Sequence, residues 1–477
     1  MEYEPVIGLE VHVELNTKSK VFCPCSTNFH AEPNTNVCPI CLGMPGVLPV
    51  MNKAVVDAAI AVGLALNCTI SRWSKMDRKN YFYPDLPKNY QISQYDLPLC
   101  HHGHLEVPVD GQLHKIGITR VHIEEDTARN VHTIGGGMSG VDFNRSTVPL
   151  LEIVSEPDMH SAQEAFNYLT SLKQILQYLR VSDCNMEEGS LRAEANISIR
   201  PEGSSEFGVK TEVKNVASFS GTFKAIEYEI ARQKKALEAG ETIIQETRGW
   251  DANRNVTVSQ RTKESAHDYR YFPEPDLVPI AVDDAWIERI RETMPELPRD
   301  RFLRFQEQYG LSEYDAGVLT STMAMASYFE DTVDAGAPAK QAANWIMGDL
   351  QAILSDRKTA IEDCDASPKK LADMIDLIEN GTISGKIAKE LLPEMVESGL
   401  TAKALIDKKG LVQISDEGAL LDAVKQVIEA NPGPVGDYRG GKKQALGFLM
   451  GQVMKHTKGK ANPKLVNEIL RRELDEG

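Results

Sequence analysis

The chain lacks any apolar run of the roughly 18–20 uncharged residues that a bilayer span needs. Its longest candidate, Val55 to Cys68, is short and carries Asp57 inside it. No membrane partner is expected. The opening MEYEPVIGLE is acidic and already strand-like, so it is not expected to act as a signal peptide. Internal repeats and low-complexity tracts are missing as well. Positive charge is scarce: 52 Lys and Arg against 69 Asp and Glu leave a net charge of −17. A surface this acidic cannot coat nucleic acid along its whole length, so any RNA contact needs a local basic patch. Cysteines are few, eight in 477 residues, and four of them crowd into one short stretch. That grouping suggests metal in a reducing compartment rather than disulfides, and a cytoplasmic protein.

What is present fits an ordinary globular chain, 42% hydrophobic and 25% charged, long enough for about three domains. Residues 1–293 read as strands with a few helices. In EPVIGLEVHVEL, Ile7, Leu9, Val11, Val13 and Leu15 fall on one face, and Gly8, Glu10, His12 and Glu14 on the other. That is a half-buried strand. Asn52 caps a helix to about Asn67. Ser161 and Glu164 form a capping box, and a third helix runs from about Phe219 to Leu237. Residues 294–405 read as consecutive helices, and 406–477 as a further helical unit. The fold class is therefore α+β, an antiparallel sheet with flanking helices followed by helical domains.

The crowded cysteines read Cys23-Pro-Cys25, twelve residues, then Cys38-Pro-Ile-Cys41-Leu-Gly43. Two turns that each present two thiolates supply the four tetrahedral ligands of zinc, with Zn–S near 2.3 Å. With all four positions filled, such a zinc is structural.

Further strands also separate their faces. In SLRAEANISIR, Arg192, Glu194 and Asn196 alternate with apolar residues. In FGVKTEVKN, Lys210, Glu212 and Lys214 do the same. Paired as a hairpin, one register sets Ser198 opposite Lys210, Asn196 opposite Glu212 and Glu194 opposite Lys214. LLEIVSE adds Glu152, and HIEED brings His122, Glu124, Glu125 and Asp126; parity alone leaves open which of the two glutamates joins the polar face. Carboxylates and an imidazole converging on one spot repel unless a cation sits among them. Oxygen-rich ligands with one nitrogen suit Mg²⁺ or Mn²⁺, and magnesium usually binds nucleotide phosphates. The residues thus point to a nucleotide-plus-metal site on a sheet face.

Three motifs are set aside. Gly135–Gly140 matches G-x-G-x-x-G but lacks the following helix, and reads as a loop. Gly436 to Lys443 nearly matches a P-loop, but has Lys where Ser or Thr should stand. His101, His102 and His104 read as an exposed turn. From Tyr438 onward nine Lys/Arg face four Asp/Glu, so this end is +5 and could meet phosphate backbone.

Taken together, VIGLEVHVEL, NTNVCPICLGMPGVLPV, DRKNYFYPDLPKNYQISQYD, HIEEDTAR, LLEIVSEPD, MEEGSLRAEANISIRP, EVKNVASF and DYRYFPEPDLVP resemble the B subunits of the aspartyl/glutamyl-tRNA(Asn/Gln) amidotransferases, over the whole chain. The resemblance implies a cradle domain, a helical linker and a small helical tail. It implies ATP-dependent amidation of Asp-tRNA(Asn) or Glu-tRNA(Gln) through a phosphorylated side-chain carboxylate. Carried over by motif, His12, Glu125 and Glu152 are magnesium ligands, with Glu10 and Glu124 close by. Arg192, Glu194, Asn196, Glu212 and Lys214 line the pocket. Lys79, Tyr81, Tyr83, Asp85 and Lys88 belong to its rim or to an ammonia path. The implied partners are an amidase (glutaminase) subunit and a small third subunit, which complete a heterotrimer, and misacylated tRNA, with no DNA. No Gly-Ser-Ser-rich amidase signature is present, so ammonia is expected from the amidase partner. Two departures stand out: Ala193-Glu194 where members often have Cys-Asp, and Thr147 near a place where members often have Gly. A non-catalytic, zinc-containing tRNA-binding scaffold is the competing reading. The archaeal relative that works with a different glutaminase is another, for whose extra inserted domain the chain has little room.

Overall fold

The computed structural model describes residues 2–131, 138–262, 269–409, 417–457 and 461–476. It divides into two compact units, Met1–Leu297 and Pro298–Gly477.

The first unit is built on a nine-stranded sheet. Its strands are β1 (Tyr3–Glu14), β2 (Thr69–Ile70), β3 (Cys100–Val109), β4 (Gln112–Glu125), β5 (Pro149–Ser155), β6 (Leu191–Pro201), β7 (Thr211–Lys214), β8 (Glu246–Asp251) and β9 (Val256–Thr262). Their order across the sheet is β9-β8-β7-β6-β1-β5-β4-β3-β2. The alternation of β1 has its expected consequence. Ile7, Leu9, Val11 and Val13 lie in the core, while Glu10, His12 and Glu14 stay partly accessible on the opposite face. The core face is covered by α1 (Lys53–Ala65) and α2 (Ala162–Tyr178), whose apolar residues join one continuous cluster.

Local chemistry sets the helix starts. The Asn52 side chain accepts from the Ala54 amide, and Ser218 does the same for Gly221 at the head of α3 (Phe219–Glu238). At α2 the Ser161 hydroxyl accepts from the Glu164 amide at 3.1 Å. The return bond of the capping box is displaced by one residue: Glu164 accepts from the His160 amide rather than from that of Ser161.

The hairpin register places Asn196 opposite Glu212, in agreement with the charge pattern. The second strand is shorter than expected, so Lys210 lies before the ladder. One pair departs from the antiparallel rule: β7 and β8 run parallel. A second correction concerns the histidines. PLCHHGHLEV is not a turn; Cys100–Val109 forms β3 and pairs with β4 along its length. Its polar residues conceal a strand whose order comes from its partner. Gly135 to Gly137 of the glycine motif lie outside the described residues.

The second unit is helical, and no described helix is long and apolar enough to cross a membrane. Its buried apolar residues form two clusters, one from Phe305 to Ile406 and one from Leu420 to Leu474. Gly436 sits inside the helix Pro432–Arg439, which removes the P-loop geometry.

Candidate active site

Strand pairing assembles the polar face. On β1, His12 pairs with Glu152 of β5 on one side and Arg192 of β6 on the other. Glu10 pairs with Glu194, and Glu152 in turn faces His122 of β4. Because side chains alternate along a strand, His122 and Glu124 share this face.

Two acidic groups result. In the first, ligand atoms of His12, Glu124 and Glu152 all lie within 4.8 Å of one another. His12 Nε2 is 3.5 Å from Glu152 Oε2. His122, buried beneath, places Nε2 3.2 Å from both Glu124 and Glu152. Lys79 Nζ stands 4.0 Å from Glu124. Burial works against every charge here, yet the groups hold each other ionised. Glu152 raises the pKa of His12 and His122 against burial, while Lys79 keeps Glu124, and His122 keeps Glu152, below the usual carboxylate range. Burial also opposes the Lys79 ammonium, and Glu124, Tyr271, Glu152 and Tyr81 together outweigh it.

The second group gathers Glu10, Glu194 and Glu212 within the same 4.8 Å limit. Lys214 Nζ lies 2.8 Å from Glu194 and 3.6 Å from Glu212. Asn196 donates to Glu10 at 2.7 Å, and Thr247 to Glu212 at 2.7 Å. Beyond Glu10 the face opens into a cavity of about 290 Å³ lined by Val6, Leu9, Asn196, Ser198, Phe207 and Lys210 among others. At the other end, Arg192 and Arg145 both donate to Asp126. Burial, then the charge of Asp126, pushes Glu14 up to about 8 despite Arg145 at 3.0 Å.

Glu125 does not take the magnesium-ligand place that the sequence motif assigns to it. One step along the strand from Glu124, it points away from His12 and accepts from Lys88 at 2.6 Å, the Ile92 amide at 2.8 Å and the Thr147 hydroxyl at 2.9 Å. Thr147 is fully buried with φ +68°, a left-handed conformation that a β-branched residue rarely adopts. The departure from glycine at this place thus exchanges backbone ease for a hydroxyl that anchors Glu125.

Of the rim residues, Lys79 and Tyr81 reach the first acidic group. Tyr81 donates to Gln91, which donates to Glu124. Lys88 is committed to Glu125, Asp85 accepts from Asn130, and Tyr83 is exposed. His122 has no assigned role in the sequence motifs, although its two-residue spacing from Glu124 is the signal that points to one.

The four cysteines also converge, with all sulfurs within 4.8 Å of one another. The Cys38 amide points at Cys41 Sγ at 3.1 Å. Gly43, at φ +64°, abuts Lys88 so closely that a Cβ would meet its Cγ at 2.4 Å.

Residues 5–288 match the GatB/GatE catalytic-domain family, and residues 327–474 match the GatB domain family. The chain belongs to the GatB family of amidotransferase B subunits. It is similar to the aspartyl/glutamyl-tRNA(Asn/Gln) amidotransferase B subunit of Caldicellulosiruptor bescii, 57% identical over 478 residues with all of both chains covered. The proteins of the same name from Caldicellulosiruptor saccharolyticus and Moorella thermoacetica are each 58% identical, the first over 100% of both chains, the second over 99% of this chain and 100% of its own. Membership makes the chain one component of an amide-forming ligase. Both acidic groups fall within the part that matches the catalytic-domain family.

Proposed function

We propose that this chain activates the side-chain carboxylate of Asp or Glu esterified to tRNA by phosphorylation with ATP, and then directs ammonia onto it. The supporting observation is the pair of acidic groups on one sheet face, each with a lysine, beside a cavity. A carboxylate oxygen is a poor leaving group. Attack of that oxygen on the γ-phosphorus breaks the bond to ADP and forms an acyl phosphate. Ammonia then adds at the acyl carbon, phosphate leaves with the electron pair, and a proton is lost to give the amide. Such chemistry depends on positioning and charge.

In this reading the cavity, with exposed Phe207 and polar Asn196 and Ser198, takes the nucleoside end of ATP. Magnesium fits the donor sets: His12, Glu124 and Glu152 would hold one ion, and Glu10, Glu194 and Glu212 another. When bound, it neutralises phosphate charge. Lys79 and Lys214 offset the carboxylates whether or not phosphate is present, and Arg192 and Arg145 give the far end of the face a positive edge. The four thiols fit a structural zinc, whose affinity for sulfur matches this donor set. The ammonia source is a partner amidase, held together with a small third subunit, and the +5 end contacts tRNA.

Purified chain given misacylated tRNA, ATP, Mg²⁺ and ammonium salt should form amidated tRNA and ADP. Glutamine should serve only after the amidase partner is added. Glu152→Gln should lower ammonium-dependent amidation at least ~100-fold while tRNA affinity is retained. An unaltered rate in that variant, or glutamine use by the isolated chain, would overturn the proposal.

A further inference from the structure

Tyr83, Tyr81, Tyr269, Tyr271 and Tyr95 form an unbroken file of rings, with successive centroids 6.0, 5.9, 6.0 and 4.2 Å apart. The file runs past the first acidic group: Lys79 Nζ is 5.1 Å from the Tyr269 centroid and 4.0 Å from Glu124. The first three contacts are edge-on, as in ordinary aromatic packing. The last is different. Tyr95 and Tyr271 lie parallel, 6° apart, and Tyr95 is still 43% exposed, so one face of its ring is covered and the other meets water. Its backbone is held on both sides. The Tyr95 amide donates to Asp77 at 2.9 Å, and its carbonyl accepts from Arg120 Nη1 at 3.1 Å. Arg120 stands on β4 two residues before His122, about 7 Å along the same polar face. Among the described residues it pairs with no carboxylate, in a chain where acidic groups outnumber basic ones. An arginine left with unused donors beside an open aromatic face suits a base and its phosphate.

The proposed substrate supplies both. Its reacting carboxyl has to reach the acidic face, and the ester bond ties the last nucleotide to that carboxyl within about 10 Å. Neither Tyr95 nor Arg120 lines the cavity given above to the nucleoside of ATP. We propose that Tyr95, backed by Tyr271, is the platform on which the terminal base of the esterified tRNA stacks, and that Arg120 meets the phosphate before it. The inference rests on the function proposed above and names the residues that hold the acceptor end. Stacking fixes how far the amino acid can extend, so the platform would set where its carboxyl stops.

The test uses the full-length chain with misacylated tRNA, ATP, Mg²⁺ and ammonium salt. Tyr95→Ala should lower kcat/KM for the tRNA about 5–150-fold, the factor carried by one stacked base, with KM for ATP unaltered. Tyr95→Trp should restore most of the loss. Arg120→Gln should reduce the slope of log affinity against log salt by about one. The deciding measurement uses an acceptor-stem RNA whose terminal ribose carries the amino acid but no base. Wild type should lose a similar factor on it, and Tyr95→Ala should add little to that loss, because the partner of the ring is already gone. An undiminished effect of Tyr95→Ala on the baseless substrate makes the ring a structural support and overturns the inference. So does a change confined to KM for ATP, which would give the ring to the nucleotide, or wild-type activity that is indifferent to the missing base. An unchanged salt slope in Arg120→Gln overturns the phosphate contact. If wild type forms no amide from ammonium at all, the proposed function itself fails, a result distinct from a platform that makes no difference.

Discussion

Neighbouring residues of one strand have opposite work. Glu124 faces the polar side with His12 and Glu152, while Glu125 is sealed on the other side against Lys88 and Thr147. Substitution should separate them. Glu124→Gln is expected to lower ATP turnover at least ~100-fold even where the folded chain is retained, since Glu124 is as buried as Glu125 and its loss also leaves His122 and Lys79 short of a carboxylate. Glu125→Gln leaves the Lys88 ammonium, only 10% exposed, without its carboxylate. Breaking a buried pair from one side costs about 3–5 kcal/mol. Urea unfolding and ADP release on the two variants check this, and the opposite assignment of effects would refute it. Thr147 fits the same picture, since its left-handed backbone is tolerated where its hydroxyl has a buried carboxylate to hold.

Elements with a clear period are legible in the sequence alone. β1, α1, α2 and α3 follow from alternation or helical spacing together with a capping side chain, because these signals are local. β3 is not, since its histidines carry no strand signal and its order comes from the ladder with β4. The choice between Glu124 and Glu125 is equally out of reach. It depends on the β4–β5 register, fixed by residues more than twenty positions away. Lys20, fully buried with its Nζ on the Phe143 carbonyl, leaves no trace in the pattern either, because burial of one lysine is a property of the packed turn around it. A helix-level test lies in the second unit. Glu330 of the helix Met323–Asp334 accepts from Arg301, from Arg304 at 2.7 Å and from Tyr309. Burial opposes its charge, but Arg304 and Arg301 outweigh burial and lower its pKa. A lowered carboxylate contributes stability above its unfolded value, near 4.5, and loses it as pH falls through the folded one. Glu330→Gln should therefore cost about 1–3 kcal/mol at neutral pH, with the difference from wild type shrinking below pH ~4.5. A difference that stays constant down to pH 3 would remove the ion pair as its cause.

At the scale of the molecule, a chain of net charge −17 that acts on tRNA as proposed would do so through a restricted surface. Deleting residues 417–477, which hold the second helical cluster, should weaken tRNA binding, and flatten its salt dependence, while leaving ammonium-dependent phosphate chemistry in place at saturating tRNA. Filter binding across a salt series measures it, and unchanged affinity would exclude that end as the contact. The sheet itself bears on how such a molecule comes into being. β1 lies at its middle, yet its partners come late: Glu10 pairs with Val154, 154 − 10 = 144 positions on, and His12 with Arg192, 192 − 12 = 180 positions on. A ribosome adding 5–20 residues per second needs about 10–40 s to supply both neighbours. Throughout that interval the first strand shows an uncovered apolar face and two open edges, competing for any other strand in reach. Slow maturation is thus the expected consequence of the topology that brings the two acidic groups onto one face.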